Sequence, residues 1–214
     1  MSSIDRPGIP GPAGDAYAAA DRRLLLGLAA RSIAHGLDRR VPLVPDPRDY
    51  PSALRAARAT FVTLEIGTAL RGCIGALVAR RPLVEDTARN AFAAAFEDPR
   101  FPPLAAGELH RLSIQVSVLS PPEALPCTSR ADLLAQLRPG LDGLILEERG
   151  QRATFLPSVW EQLPDPGEFL AHLCRKAGLP STHWSGSLAV SRYTTESFAA
   201  PAAELLEDNH GQLE

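Results

Sequence analysis

Cysteine is scarce: Cys73, Cys127 and Cys174 are the only three, and none sits in a Cys-x-x-Cys pair. An odd, sparse set is no disulfide framework and fits a reducing compartment. No run of about 18 apolar residues occurs, so no spanning helix is expected. Met1 to Gly14 lacks a basic region leading into an apolar stretch; it reads as a polar mobile arm rather than a signal peptide. The expectation is a soluble, cytoplasmic protein with no membrane partner. Charge of one sign is also lacking. A net charge of -3 and a pI near 6.0 disfavour direct nucleic-acid binding through phosphate attraction. Arg39-Arg40 and Arg80-Arg81 are short basic pairs that read as solvated. Cofactor signatures are missing too. There is no Walker loop, no Gly-x-Gly-x-x-Gly after a strand, no His-Glu-x-x-His and no EF-hand, so no cofactor or metal is expected. Ser185-Gly186-Ser187 is no nucleophile elbow.

What remains is ordinary globular material: 45% apolar and 22% charged residues in 214, enough for one large domain or two lobes sharing a core. Asp15 is positioned to cap a helix running to about Leu37. Val41 to Pro51 reads as a proline-rich loop. Thr60–Ile66 alternates Phe61, Thr63 and Glu65 against Val62, Leu64 and Ile66, which predicts a strand, and Gly67 turns the chain into a second one at Leu70–Ile74. Pro82 opens a helix to about Glu97, with Val84, Ala88, Ala91, Phe92 and Ala95 as its buried stripe. Leu112–Leu119 is the clearest strand. A short helix is expected over Ala131–Leu137, a hairpin of Gly143–Leu146 and Thr154–Leu156 around Arg149-Gly150-Gln151, an amphipathic helix over Glu168–Ala177 and a last strand over Ser187–Thr194. From Ala199 the chain reads as a frayed acidic tail. Strands and helices do not alternate strictly, so an α+β fold with a mixed or mainly antiparallel sheet is expected.

Leu70-Arg71-Gly72-Cys73-Ile74-Gly75 stands out. Glycine inside an extended segment marks a bulge or a close backbone approach. Arg71 offers a planar fork to a carboxylate or phosphate, and a neighbouring cation favours a nucleophilic thiolate at Cys73. That points to a small ligand site made by Arg71, Gly72, Cys73 and Gly75. A structural alternative competes with it. The glycines can simply permit packing, with Cys73 a small buried hydrophobe and Arg71 paired with an acid such as Glu65. Asp98 and Arg100 can close a local turn, or Arg100 can join Arg71 on one anion. Trp184 can stack on a planar ligand beside His183, or plug the core and leave His183 solvated. Cys174, on an apolar helix face, reads as core; Cys127 reads as a surface-loop residue. If Cys73 is a nucleophile, His183 and Glu65 are the candidate bases.

These blocks resemble the AMMECR-one family. The hexapeptide is similar to its hallmark. The similarity continues through Phe61-Val62-Thr63-Leu64, Asp98-Pro99-Arg100-Phe101-Pro102-Pro103-Leu104, Glu108-Leu109 and Ser117-Val118-Leu119-Ser120-Pro121. It ends in Gly143-Leu144-Ile145-Leu146, Phe169-Leu170, Leu173 to Leu179 and Trp184, covering about 20–195 of the chain. The resemblance implies a domain over 15–198, with arm 1–14 and tail 199–214 outside it. It also implies a larger lobe from both chain ends, a smaller inserted lobe, and the hexapeptide near the cleft between them. Memo-like and radical-SAM proteins are implied as partners, without an established activity, and a role in RNA modification is a further suggestion. One departure is Gln151-Arg152-Ala153-Thr154-Phe155, where many members have a glycine-bearing turn.

Overall fold

The computed structural model describes residues 16–207. The expected arm 1–14, the Asp15 cap and the end of the tail lie outside them. In chain order the elements are α1 (Ala19–Arg39), β1 (Thr60–Ile66), β2 (Ala69–Gly75), α2 (Leu83–Phe96), β3 (Leu112–Leu119), β4 (Glu123–Ala124) and α3 (Arg130–Gln136). Then follow β5 (Gly143–Glu148), β6 (Gln151–Phe155), α4 (Pro166–Lys176), β7 (Ala189–Tyr193), β8 (Thr195–Pro201) and α5 (Ala202–Glu207). The fold is α+β. It divides into two compact units: one is Tyr17–Pro121 with the described part of Ser197–Glu214, the other centres on Pro122–Glu196.

The first unit carries a four-stranded sheet in the order β2-β1-β3-β8. β1 pairs antiparallel with both β2 and β3. Period-2 alternation sends Val62 and Leu64, with Ile114 and Val116, into a core shared with α1 and α2, while Thr63, Cys73 and Gln115 stay half-buried on the opposite face. The expected stripe of α2 is buried, but the helix is buried more widely than its pattern suggests, because Asp86, Thr87 and Asn90 go inside as well. Asp86 accepts hydrogen bonds from the Thr60 backbone N–H and hydroxyl and from the Asn90 amide, which fastens the start of β1 to the helix. Burial pushes its carboxyl up, against the opposing pull of Thr60.

The tail is a correction. Ala199–Pro201 continue β8, and α5 puts Ala202 and Leu205 into the core. Two buried apolar positions inside an otherwise acidic segment are too few to set a visible period in the sequence. Leu205→Ala is therefore expected to cost about 2–3 kcal/mol in denaturant unfolding; a frayed residue would cost less than about 0.5 kcal/mol.

The second unit has a sheet in the order β4-β7-β5-β6. Its hairpin is tight. Glu148 pairs with Gln151, and Arg149 (φ 49°) and Gly150 (φ 85°) are both left-handed, the geometry of a two-residue type I′ turn. The departure noted at Gln151–Phe155 thus leaves β6 intact, because the turn chemistry sits just before it. The expected apolar face of α4, Phe169, Leu170, Leu173, Cys174 and Ala177, is buried. Trp160 stacks on Phe169 with ring centroids 3.8 Å apart. Among the described residues no helix is long and apolar enough to cross a membrane.

Candidate functional site

β2 is the outer strand of the first unit's sheet, and its two glycines have steric jobs. A Cβ on Gly72 would fall on the carbonyl oxygen of Ala94 in α2, and one on Gly75 would fall on the Phe61 ring and the Thr60 carbonyl. The packing explanation therefore accounts for both glycines. The pairing register also breaks here: Leu64 faces Gly72, but Glu65 faces Leu70. Arg71 is the extra residue of a β-bulge, and bulges re-aim the side chain they carry.

Freed from the register, Arg71 reaches the segment after α2. Its Nε donates to Glu108 Oε1 (2.8 Å), and its Nη2 donates to Glu108 Oε2 (3.1 Å) and to the Pro102 carbonyl (2.9 Å). Glu108, in a 3-10 turn over Ala106–Arg111, also accepts the Ala105 N–H. The Arg71 guanidinium first, then the Ala105 N–H, hold its carboxyl below the usual range. The partner of Arg71 is thus Glu108, 37 residues away, and not Glu65.

Asp98 and Arg100 act at the next outward position. Asp98 Oδ2 accepts the Cys73 N–H (2.9 Å), and Arg100 Nη2 donates to the Cys73 carbonyl (3.3 Å). The pair is joined by Arg100 Nε to Oδ1 (3.0 Å) and Nη2 to Oδ2 (2.7 Å). A carboxylate and a guanidinium so take the place of a neighbouring strand's C=O and N–H, which closes an edge that would otherwise invite pairing. The Asp98 side chain is 2% exposed, and the Arg100 guanidinium holds its carboxyl well below the usual carboxylate range. Arg71 and Arg100 each have their own carboxylate. Both guanidiniums also approach Phe101, at 5.9 and 5.5 Å from the ring centroid.

Cys73 is half-buried, and its sulfur accepts a hydrogen bond from the Thr63 hydroxyl at 3.1 Å across the β1–β2 pair. Glu65 faces Leu70, beyond the bulge, and makes no hydrogen bond to the thiol. Among the described residues no three His, Cys, Asp or Glu side chains gather as a metal site.

The other expected residues belong to the second unit. Trp184 is half-buried against that unit's core. His183 is not solvated as expected. Its Nε2 is sealed without a hydrogen-bond partner, 3.8 Å from Glu148 Oε2. Glu148 is itself buried and accepts from Ser187 Oγ (2.7 Å) and Ser185 Oγ (2.8 Å), in that order the causes that hold its carboxyl low. The Ser185-Gly186-Ser187 turn is therefore an anchor for the end of β5. Cys174 is core as expected, and Cys127 packs partly against the same core. Thr63, Phe101 and Glu108 were missed as site residues; Phe101 lies beside Arg100 in the Asp98–Leu104 block, where only the charged pair was read as a candidate.

The profile of the family described as AMMECR1 matches residues 26–198. A protein of Thermofilum pendens is 38% identical over 198 residues, covering 86% of this chain and 92% of that protein. One from Methanothermobacter thermautotrophicus is 45% identical over 135 residues, 63% of this chain and 70% of its own. The crystal structure of uncharacterized protein PH0010 from Pyrococcus horikoshii superposes with a TM-score of 0.72 at 36% identity, covering 83% of this chain and 90% of that one.

Proposed function

The chain belongs to the AMMECR1 family, and from that premise we propose that it is an accessory binding protein whose working surface is the Leu70–Gly75 strand with the segment clamped onto it. The observation that carries this reading is the ion-pair arrangement. Arg71 and Arg100 are locked by Glu108 and Asp98, and Phe101 lies against both guanidiniums. Such a surface is rigid before anything binds, which lowers the entropy cost of recognition. The sulfur beside it accepts a hydrogen bond from the Thr63 hydroxyl rather than donating to a basic side chain.

Memo-like and radical-SAM proteins are the proposed partners, in the cytoplasm. A tagged copy is expected to retain a partner that Phe101→Ala loses, since Phe101 is half-buried and its truncation exposes no core. Equal retention by both proteins, together with no thermal shift across metabolites, nucleotides and phosphates, would sink the reading.

A second reading has one observation in its favour. Arg100 donates to the Cys73 carbonyl, which sets a cation beside the thiol and suits a nucleophile. In that reading Cys73 attacks the substrate and Arg71 steadies the charge.

A further inference from the structure

Arg80-Arg81 read from sequence as a solvated pair, but the fold brings other cations to it. The Arg58 N–H donates to the Arg81 carbonyl (3.3 Å), and the Leu83 N–H donates to the Ala56 carbonyl (2.9 Å). These bonds flank an antiparallel bridge between Ala57 and Pro82. Arg58 therefore stands directly opposite Arg81, where paired side chains are about 4.5–5.5 Å apart at Cβ and like charges destabilise. Arg55 precedes Arg58 on one segment, and Arg80 precedes Arg81 on the other. Four guanidiniums are thus carried by two short segments of the first unit bonded to each other. Arg55, Arg80 and Arg81 are exposed, and Arg58 is half-buried.

This charge is not matched as it is at Arg71 and Arg100. Arg55 donates from Nε to the Tyr50 carbonyl (2.7 Å) and from Nη2 to the Arg48 carbonyl (3.4 Å), and Arg58 donates from Nη1 to the Ala57 carbonyl (2.8 Å). Carbonyls orient these guanidiniums and leave the charge whole. Among the described residues Arg55, Arg58 and Arg80 pair with no carboxylate. Arg81 Nη1 has Asp86 Oδ1 at 3.9 Å, but Asp86 is buried and its Oδ2 already accepts from Thr60 and Asn90. Asp46 and Asp49 lie by Arg48. Glu85, half-buried in the first turn of α2, is the other acid next to Arg81 in the chain. A protein of net charge -3 so carries a local surplus of cations in the open.

Size and shape decide which anion fits. A nucleic acid or an anionic bilayer extends far beyond the patch and meets the repulsion of the negative protein as a whole. A bilayer also needs a broad apolar face, and Val78 is the large apolar side chain that the loop before Arg80 exposes. A short acidic run matches the patch in extent, and its carboxylates suit guanidinium forks that are already oriented. We propose that the segments carrying Arg55, Arg58, Arg80 and Arg81 form a docking surface for an acidic peptide segment of a partner protein, bound across the opposed Arg58 and Arg81. The surface lies outside the Leu70–Gly75 strand, and its role is independent of the binding reading above. Bound carboxylates relieve the repulsion between Arg58 and Arg81.

Fluorescence anisotropy of a fluorescein-labelled octapeptide of alternating glutamate and aspartate, titrated with the full chain, tests this. Saturable binding is expected at low ionic strength, weakening as added salt screens it. Arg58→Glu is expected to weaken binding at least about tenfold. It should also raise the melting temperature, because an opposite-charge pair replaces a like-charge pair across the bridge. Lost binding in a protein that melts no lower is not unfolding; Arg81→Ala gives the same loss without reversing a charge. Arg39→Ala is the control, since Arg39 already pairs with Asp38, and should leave binding nearly unchanged. No saturable binding of the peptide, or equal binding by wild type, Arg58→Glu and Arg81→Ala, would overturn the proposal. So would single-stranded oligouridylate or phosphatidylserine vesicles held more tightly than the peptide and released by Arg58→Glu.

Discussion

Gly72→Ala is expected to destabilise the protein by roughly 3 kcal/mol or more, the upper end of what overpacking costs. The added methyl would meet the Ala94 carbonyl oxygen, a backbone atom of α2 that cannot rotate away as a side chain does. Either β2 lifts off the helix or the helix gives way at a position that is almost fully buried. At about 2–4 °C per kcal/mol for a chain of this size, the melting temperature should fall by roughly 6–12 °C. Gly107→Ala is the control. A methyl there meets nothing within 4 Å, and its backbone is not left-handed, so a change within about 0.5 kcal/mol is expected. A Gly72→Ala protein as stable as wild type would mean that β2 and α2 are not in close contact.

Asp98→Ala is expected to cost about 2–3 kcal/mol at neutral pH. It leaves the Cys73 N–H without an acceptor and Arg100 without its carboxylate, although Arg100 is half-exposed and can turn to water. Asp98→Asn should cost less, since the amide oxygen can still accept from Cys73. The pH dependence separates charge from shape. The native carboxyl is held below its unfolded value, so its stabilisation is complete above about pH 4 and is lost as pH falls through the folded value. The gap between wild type and Asp98→Asn should therefore be constant from neutral pH down to about 5 and close in stronger acid. A gap that widens in acid would contradict the clamp.

β1 and β3 were legible because one face of each is buried. Period 2 in Thr60–Ile66 and Leu112–Leu119 predicts strands whose bounds the structure repeats. β8 was not legible: Ala199, Ala200 and Pro201 carry little β propensity, and their pairing with β3 is set by position in the fold rather than by local preference. The hexapeptide could be found from glycine spacing, since glycine in a strand needs a reason. What each glycine avoids could not, because Ala94 is 22 residues from Gly72 and approaches only after α2 packs. The same limit hid Glu108. Glu65 was the acid near Arg71 in sequence, but a one-residue bulge turned Arg71 away from it. Polar partners brought together over long separations are set by tertiary packing, which residue spacing does not encode.

The measurement that bears most directly on the account is the iodoacetamide alkylation rate of Cys73 from about pH 5 to about pH 9, against the same cysteine in the unfolded chain. It is best made with Cys127→Ser, while Cys174 is fully buried and burial pushes its thiol up. A binding surface whose half-buried thiol has no base hydrogen-bonded to it predicts a rate no faster than the unfolded reference at any pH in that range. A rate enhanced about tenfold or more near neutral pH, and lost in Arg100→Ala, would contradict it and make Cys73 the nucleophile of an enzyme.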